Sequence, residues 1–390
     1  MKILALTGIR SEYDILFPLI NAFKNKYGWD VKLALSGAHL SDWHGNSQAR
    51  IKDDGFEVVD RIDSLFSTNR ETQRIKGIGV MLYGLSQTVE REQPDVLLVV
   101  GDREESIAAA LVGNYMGVLT AHLGGGDPVW GNSDDPIRMA VSKLAHIHLV
   151  TANAYGQNLV NSLHEDEFRV HFIGNPANEN IKNEKIIDLN ELSDYLKFDI
   201  RNGRYLVLIK HPLSIEAISA GEQYAKLLNA LKLFCSKYNY KVVASYPNTD
   251  PGSYEILNVI ENFKNEDWIC FNKTLPRTEF VNLLRHSKVL VGNSSLGLLE
   301  APYYKLPVVN VGNRQRGRLN AGNVEYVGYE QSEIEKAVFK AAESADYRAY
   351  IGALVNPFEN EEGDPSDLAA KALLDSVNRR EEYLVKRNLC

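Results

Sequence analysis

The stretch PDVLLVVGDREESIAAALVGNYMG, residues 94–117, reads in order as a turn, a buried strand, a polar loop and a helix. Pro94 and Asp95 stop what precedes them, and the unbroken apolar run from Val96 to Val100 suits a strand covered on both faces, as parallel strands are. Gly101 ends the run. Glu104 and Glu105 then open an Ala-rich segment, where negative charge favours the first turn of a helix. Strand, loop and crossover helix form the repeating unit of a parallel sheet. The pattern extends outward from this stretch, with strands expected at Ile3–Thr7, Asp30–Ser36, Val96–Gly101, Leu119–Leu123 and His148–Thr151. It resumes at Tyr205–Lys210, Tyr240–Ser245, Val289–Gly292 and Val308–Val311. The fold class is α/β.

A chain of 390 residues exceeds the roughly 250–300 residues at which one hydrophobic core stops growing, so two domains are expected. The polar stretch Ile181–Leu196 reads as the passage between them. This gives domains at 1–180 and 181–364, followed by a terminal helix at 365–390 that, by analogy with paired Rossmann-like domains, packs back on the first. Parallel sheets bind ligands beyond the carboxyl ends of their strands. Two facing edges would form an interdomain cleft lined by Gly8–Asp14, Gly101–Glu105, His122–Arg138, Lys210–Ser214, Ser245–Gly252 and Gly292–Gly297.

A net charge of −8 argues against a nucleic-acid partner, which would require an excess of Lys and Arg on one face. No apolar run reaches the length of about 18 residues expected of a membrane span, and MKILALTGIR lacks the apolar region of a signal peptide. Cys235, Cys270 and Cys390 show neither a CxxC pair nor metal-ligand spacing, which suits reduced thiols in the cytoplasm. His146 and His148 have no nearby third ligand, so a metal site is not expected.

The polar residues of interest fall at strand ends. In GNSSLG, residues 292–297, small residues open a helix, an arrangement that offers backbone N–H groups to an anion. Ser294 and Ser295 add hydroxyls, Gly297 completes the phosphate-cradling stretch, and Glu300, expected in the same helix, offers a carboxylate to ribose hydroxyls. The bland alternative is an ordinary capped helix. Arg314 in GNRQRGR and Arg10 after the first strand supply further cationic groups. Asp102 stands at the end of the best-defined strand as an acid–base candidate, with Asp127, Asp134 and Asp135 as carboxylate neighbours able to tune it. The alternative for Asp102 is a cap on the following helix. His211, just after a strand, is a second catalytic candidate. Asn248 carries a donor and an acceptor suited to a base or an amide, whereas His122 reads as a packed strand-end residue.

Taken together, GIRSEYDILFPLI, SGAHLSDWHGNS, VVGDREESIAAA, GNSDDPIRMAVSKLAHIHL, SYPNTDPGS, GNSSLGLLEAP and VGNRQRGR resemble the UDP-N-acetylglucosamine 2-epimerase family, in family order and through most of the chain. The resemblance is to the hydrolysing branch that feeds synthesis of sialic-acid-type sugars. It implies a glycosyltransferase B type fold and a UDP-sugar substrate. Arg10, Arg103 and Arg138 would lie near the diphosphate or sugar, Asn248 near uracil, Ser294 and Ser295 at the phosphates, Glu300 at ribose and Arg314 near the sugar. Asp102, His211, Asp127 and Asp134 or Asp135 match catalytic positions. The implied reaction is C2 deprotonation, anti elimination of UDP, and water addition to give N-acetylmannosamine, with no cofactor required, in a homo-oligomer (dimer or tetramer).

One departure from the family pattern stands out. Where some members read HIEGGE, this chain reads HLGGGD, so Gly124 occupies an acidic position and leaves room for a larger substrate, such as a UDP- or GDP-linked diacetamido-trideoxyhexose. Met139 likewise replaces a histidine that often follows the arginine. Two other functions fit the same architecture: a glycosyltransferase and a nucleotide-sugar sensor without turnover.

Overall fold

The computed structural model describes all residues except 43–46, 67–71, 129–133, 214–215, 217–218, 249–250, 274 and 387–390. The chain forms two compact α/β units. Among the described residues the first comprises 1–128, 134–180 and a segment that returns at Phe358, and the second is Ile181–Pro357.

The first unit carries a seven-stranded parallel sheet: β1 (Lys2–Thr7), β2 (Asp30–Ser36), β3 (Glu57–Ile62), β4 (Val96–Val100), β5 (Leu119–Leu123), β6 (Ile147–Val150) and β7 (Val170–Phe172). Their spatial order is β3-β2-β1-β4-β5-β6-β7. The second unit has six parallel strands: β8 (Tyr205–Ile209), β9 (Lys241–Ser245), β10 (Ile269–Asn272), β11 (Val289–Gly292), β12 (Val308–Val311) and β13 (Val324–Val327). They are ordered β10-β9-β8-β11-β12-β13. Both sheets therefore reverse direction beside their first strand, between β1 and β4 and between β8 and β11. Connections depart to opposite sides there and leave a crevice beyond the strand ends, the position at which Rossmann sheets hold their ligands.

The central strands are fully buried, as the apolar run of β4 requires. Four strands go beyond those that the sequence pattern predicts: β3, β7, β10 and β13. They are the two edges of each sheet, and their residues, such as EVVDRI and VEYV, are mostly half-buried. A strand with one open side needs no continuous apolar run.

The passage after Asn180 is ordered and belongs to the second unit. Asp188 accepts the amides of Asn190 (2.8 Å) and Glu191 (2.9 Å), capping a helix at Leu189–Leu196. Ile187 and Leu192 enter the core of that unit, so the stretch is an amphipathic cap on the sheet rather than a bare connector.

The returning segment starts at Phe358, upstream of Pro365. Its helix Pro365–Asn378 places Ala369, Ala370 and Leu373 in one core with Leu16 and Ile20 of the helix Arg10–Asn25. The guanidinium of Arg169, almost wholly buried, donates to the carbonyls of Tyr383 (2.6 Å) and Val385 (2.8 Å). Lys386 donates to the carbonyls of Ala145 (2.6 Å) and Lys143 (2.8 Å). Among the described residues no helix is long and apolar enough to cross a membrane.

Candidate active-site residues at the two switch points

In the first unit, Gly101 closes β4 with φ +77°, and the chain turns so that Asp102 leaves the strand line. Asp102 does not cap the next helix, whose N-cap is Arg103. Its carboxylate instead pairs with the guanidinium of Arg138. The same guanidinium donates to the carbonyl of Gly124 (3.1 Å) and to Asp127 (3.4 Å). The partner anticipated for Asp102 was another carboxylate; the structure supplies a guanidinium that it shares with Asp127. Burial opposes the charge of Arg138, but Asp102, Asp127 and Asp135 outweigh it and hold the group above its usual pKa. Asp135 is half-buried one turn before Arg138. The side chain of Asp134 lies outside the described residues.

His122 fills the floor of this cluster. Its Nε2–H donates to the carbonyl of Gly101 (2.8 Å), so Nδ1 accepts from the hydroxyl of Ser142 (3.1 Å). Burial lowers its pKa to about 3, and the ring is a neutral strut. Gly124 has φ +81°, and a Cβ built there meets no atom of the described residues within 4 Å. The acidic side chain that some family members carry would meet none of the described residues there, but a backbone at this φ strains any side chain.

Arg10 is the first residue of its helix and lies 3.5 Å from Asp14. Between β1 and β4, Arg103 faces two buried carboxyl groups that sequence reasoning missed. Its Nε is 3.8 Å from Glu12 and 3.7 Å from Glu105. Both glutamates stood in quoted motifs, and the signal available was a charged residue at a position that the fold must bury.

In the second unit the switch point is bridged by an amide. Asn293, directly after β11, accepts the His211 amide (2.8 Å) and donates to the His211 carbonyl (2.9 Å). Asn293 is buried, and its own carbonyl accepts from Gln315 (3.0 Å) and Arg314 (3.3 Å), which ties GNRQRGR to the same point. Asn293 and Gln315 stand in the GNSSLG and GNRQRGR motifs but were not singled out there as individual candidates.

The imidazole of His211 accepts the backbone N–H of Asn248 at Nδ1 (3.1 Å). Burial, followed by Arg314 and Lys210, lowers its pKa to about 3. A neutral ring whose Nδ1 is an acceptor carries its proton on Nε2. His211 is therefore poised as a hydrogen-bond donor rather than as a base. Lys210 beside it donates to the hydroxyl of Tyr329 (3.0 Å), and burial lowers its pKa to about 8.

The helix after GNSS is a single turn, Leu296–Leu299. Glu300 lies just beyond it, not within it, because Pro302 cannot continue a helix and restricts the residue before it. Ser294 Oγ accepts the amide of Leu296 (3.3 Å), and Gly297 is buried where a Cβ would come within 2.9 Å of Val308. Gly292 has φ +131°, and a Cβ there would overlap the carbonyl of Ile209. Gly292→Ala is accordingly expected to cost about 2–4 kcal/mol through overlap and backbone strain. Urea denaturation should show a lower midpoint with unchanged slope.

Among the described residues no group of three or more His, Cys, Asp or Glu side chains is arranged to hold a metal ion. Two Rossmann-type parallel sheets, each with polar residues at its switch point, give the chain a fold of the glycosyltransferase B type. Residues 21–366 match the family model described as UDP-N-acetylglucosamine 2-epimerase, and the chain belongs to that family. It is 32% identical over 323 residues to the UDP-N,N'-diacetylbacillosamine 2-epimerase (hydrolyzing) of Legionella pneumophila, covering 83% of this chain and 84% of that one. It is 29% identical over 349 residues to the UDP-N-acetylglucosamine 2-epimerase of Neisseria meningitidis serogroup B, covering 89% of each. A crystal structure of UDP-GlcNAc 2-epimerase from Neisseria meningitidis bound to UDP-GlcNAc shares the fold, with a TM-score of 0.79 and 19% identity over 96% of this chain and all of that one.

Proposed function

We propose that the chain is a hydrolysing epimerase that converts UDP-N-acetylglucosamine and water to UDP and N-acetylmannosamine. The observation that carries this reading is the set Asp102, Arg138 and Asp127 at the β4–β5 strand ends. A base removes the C2 proton, the C1–O bond breaks with departure of UDP, and a glycal with a C1–C2 double bond remains. Water then adds, with hydroxyl at C1 and a proton at C2 on the opposite face. We assign proton transfer to Asp102 with Asp127 and the Asp134-Asp135 pair, and a donor role to His211 through Nε2. Arg10, Arg103, Arg138 and Arg314 would meet the diphosphate and sugar, Ser294, Ser295 and Gly297 the phosphates, Glu300 the ribose and Asn248 the uracil. The same reading places the enzyme in the cytoplasm as a homo-oligomer.

Gly124 supports a second substrate. The open space above it suits a sugar with an additional acylamino group, and the Legionella relative is named for a UDP-linked diacetamido sugar. Both readings are tested by incubating the enzyme in heavy water with UDP-N-acetylglucosamine or UDP-N,N'-diacetylbacillosamine and following the products by NMR. The expected result is free 2-epimerised sugar with deuterium at C2 from at least one substrate, the faster one defining the specificity. Tight UDP binding with no product from either would favour a sensor, and transfer only to an added sugar acceptor would favour a glycosyltransferase.

A further inference from the structure

We propose that Glu12 and Glu105 are positioning residues that hold one proton between them, so that a single negative charge, not two, lies against Arg103 at the β1–β4 switch point.

Both carboxyl groups are almost completely buried. Each has one oxygen satisfied: Glu12 Oε2 accepts the Gly8 amide (2.8 Å) and the Thr7 hydroxyl (3.4 Å), and Glu105 Oε1 accepts the Ser36 hydroxyl (2.9 Å). The other two, Glu12 Oε1 and Glu105 Oε2, accept no hydrogen bond from the described residues. They are the oxygens that face Arg103 Nε, at distances too long for hydrogen bonding. One guanidinium N–H thus stands before two buried oxygens that lack donors. A proton on either carboxyl supplies one donor and removes one of two like charges that a dry site cannot hold together.

The surroundings fix the pair in place. A Cβ at Gly8 or Gly37 would press on the Glu105 carboxylate, so two glycines make its berth. The charged and titratable neighbours among the described residues are few. Asp102 precedes Arg103 and Glu104 follows it at the start of a helix, Arg74 pairs with Glu104, His39 shares the Thr7 hydroxyl (3.1 Å), and Arg10 and Asp14 lie on the helix of Glu12. Burial holds the His39 imidazole neutral, with its pKa lowered to about 4. Burial, followed by the charge of Glu105, raises the pKa of Glu12, and burial raises that of Glu105.

The consequence for ligands rests on the reading of Arg103 as a substrate contact. Ionisation of the pair at alkaline pH would add a negative charge beside the cation that faces it and weaken the hold on an anion.

Carbon-13 NMR of the protein labelled at glutamate carboxyls reads the proton directly. At least one resonance should titrate well above the ordinary glutamate range near about 4.3, and E105Q should move the titration of Glu12 downward. UDP affinity, measured between pH 7 and 9, should fall about fivefold in the wild type, as expected for one added charge near the site, and stay flat in E12Q. The proposal is overturned if no glutamate titrates above the ordinary range or if the titration of Glu12 ignores E105Q. Absence of UDP binding to the wild type would instead sink the epimerase reading, with the NMR result still deciding the shared proton.

Discussion

Arg138→Met is expected to lower turnover by about a thousandfold or more, the scale of losing a positioned acid–base group, and to destabilise the first unit by about 3–5 kcal/mol, the scale of breaking a buried ion pair from one side. The guanidinium is the shared partner of Asp102 and Asp127 and also donates to the Gly124 carbonyl. Removing it takes from Asp102 and the buried Asp127 the cation that they share. Methionine keeps the length and apolar stem of the side chain, so the loss reports the charge and its hydrogen bonds. Asp102→Asn is the companion variant. It retains an acceptor for Arg138 and should leave stability within about 1–2 kcal/mol of the wild type while abolishing turnover. If Asp102→Asn turned over normally, the cluster would be a structural clasp and the reaction would belong to other residues.

Acidification from pH 7 to 5 should loosen the first unit well before the second. His39, His122, His146, His148 and His171 all lie in the first unit, and burial lowers the pKa of each, to about 4, 3, 3 and 4 for His39, His122, His146 and His171 and below its usual range for His148. Among the described residues the second unit holds one such ring, His211. Unfolded histidine titrates near about 6.5, so below that pH the unfolded chain binds protons that the native rings refuse. The stabilising contribution of neutral burial is complete above about pH 6.5 and is lost progressively toward the native-state values. Each ring can cost up to about 2 kcal/mol at pH 5. Hydrogen exchange read by mass spectrometry at pH 7, 6 and 5, corrected for intrinsic rate, should show protection in β4, β5 and β6 collapsing before that in β8 and β11. Equal loss in both units would mean that the buried imidazoles do not govern acid stability.

The interior of the fold was legible because central parallel strands must be apolar along their whole length. Val96–Val100, Leu119–Leu123 and Val289–Gly292 announce themselves in that way. The edges β3, β7, β10 and β13 carry Glu57, Asp60, His171, Asn272 and Glu325, residues that a half-covered strand tolerates, and no periodicity separated them from loop. The candidate site was legible in its residue types and opaque in its pairings. Asp102 and Arg138 lie 36 positions apart, and His211 and Asn293 lie 82 apart, distances over which local pattern carries no information. Sequence logic located the strand ends. It could not show that an arginine would stand where a carboxylate was sought, or that an asparagine would bridge two loops.

The return of the chain at Phe358 onto the first unit has a bearing on how the protein is made. Domains acquire structure as units while they emerge from the ribosome, and Ile181–Pro357 of the second unit is fully synthesised while the first still lacks part of its core. The earliest residues to appear are thus the last to be completed. Until the helix Pro365–Asn378 is delivered, Leu16 and Ile20 present an uncovered apolar face. Nascent first units are expected to carry that exposure through the translation of the second, so chaperone demand during synthesis should follow chain order rather than final stability.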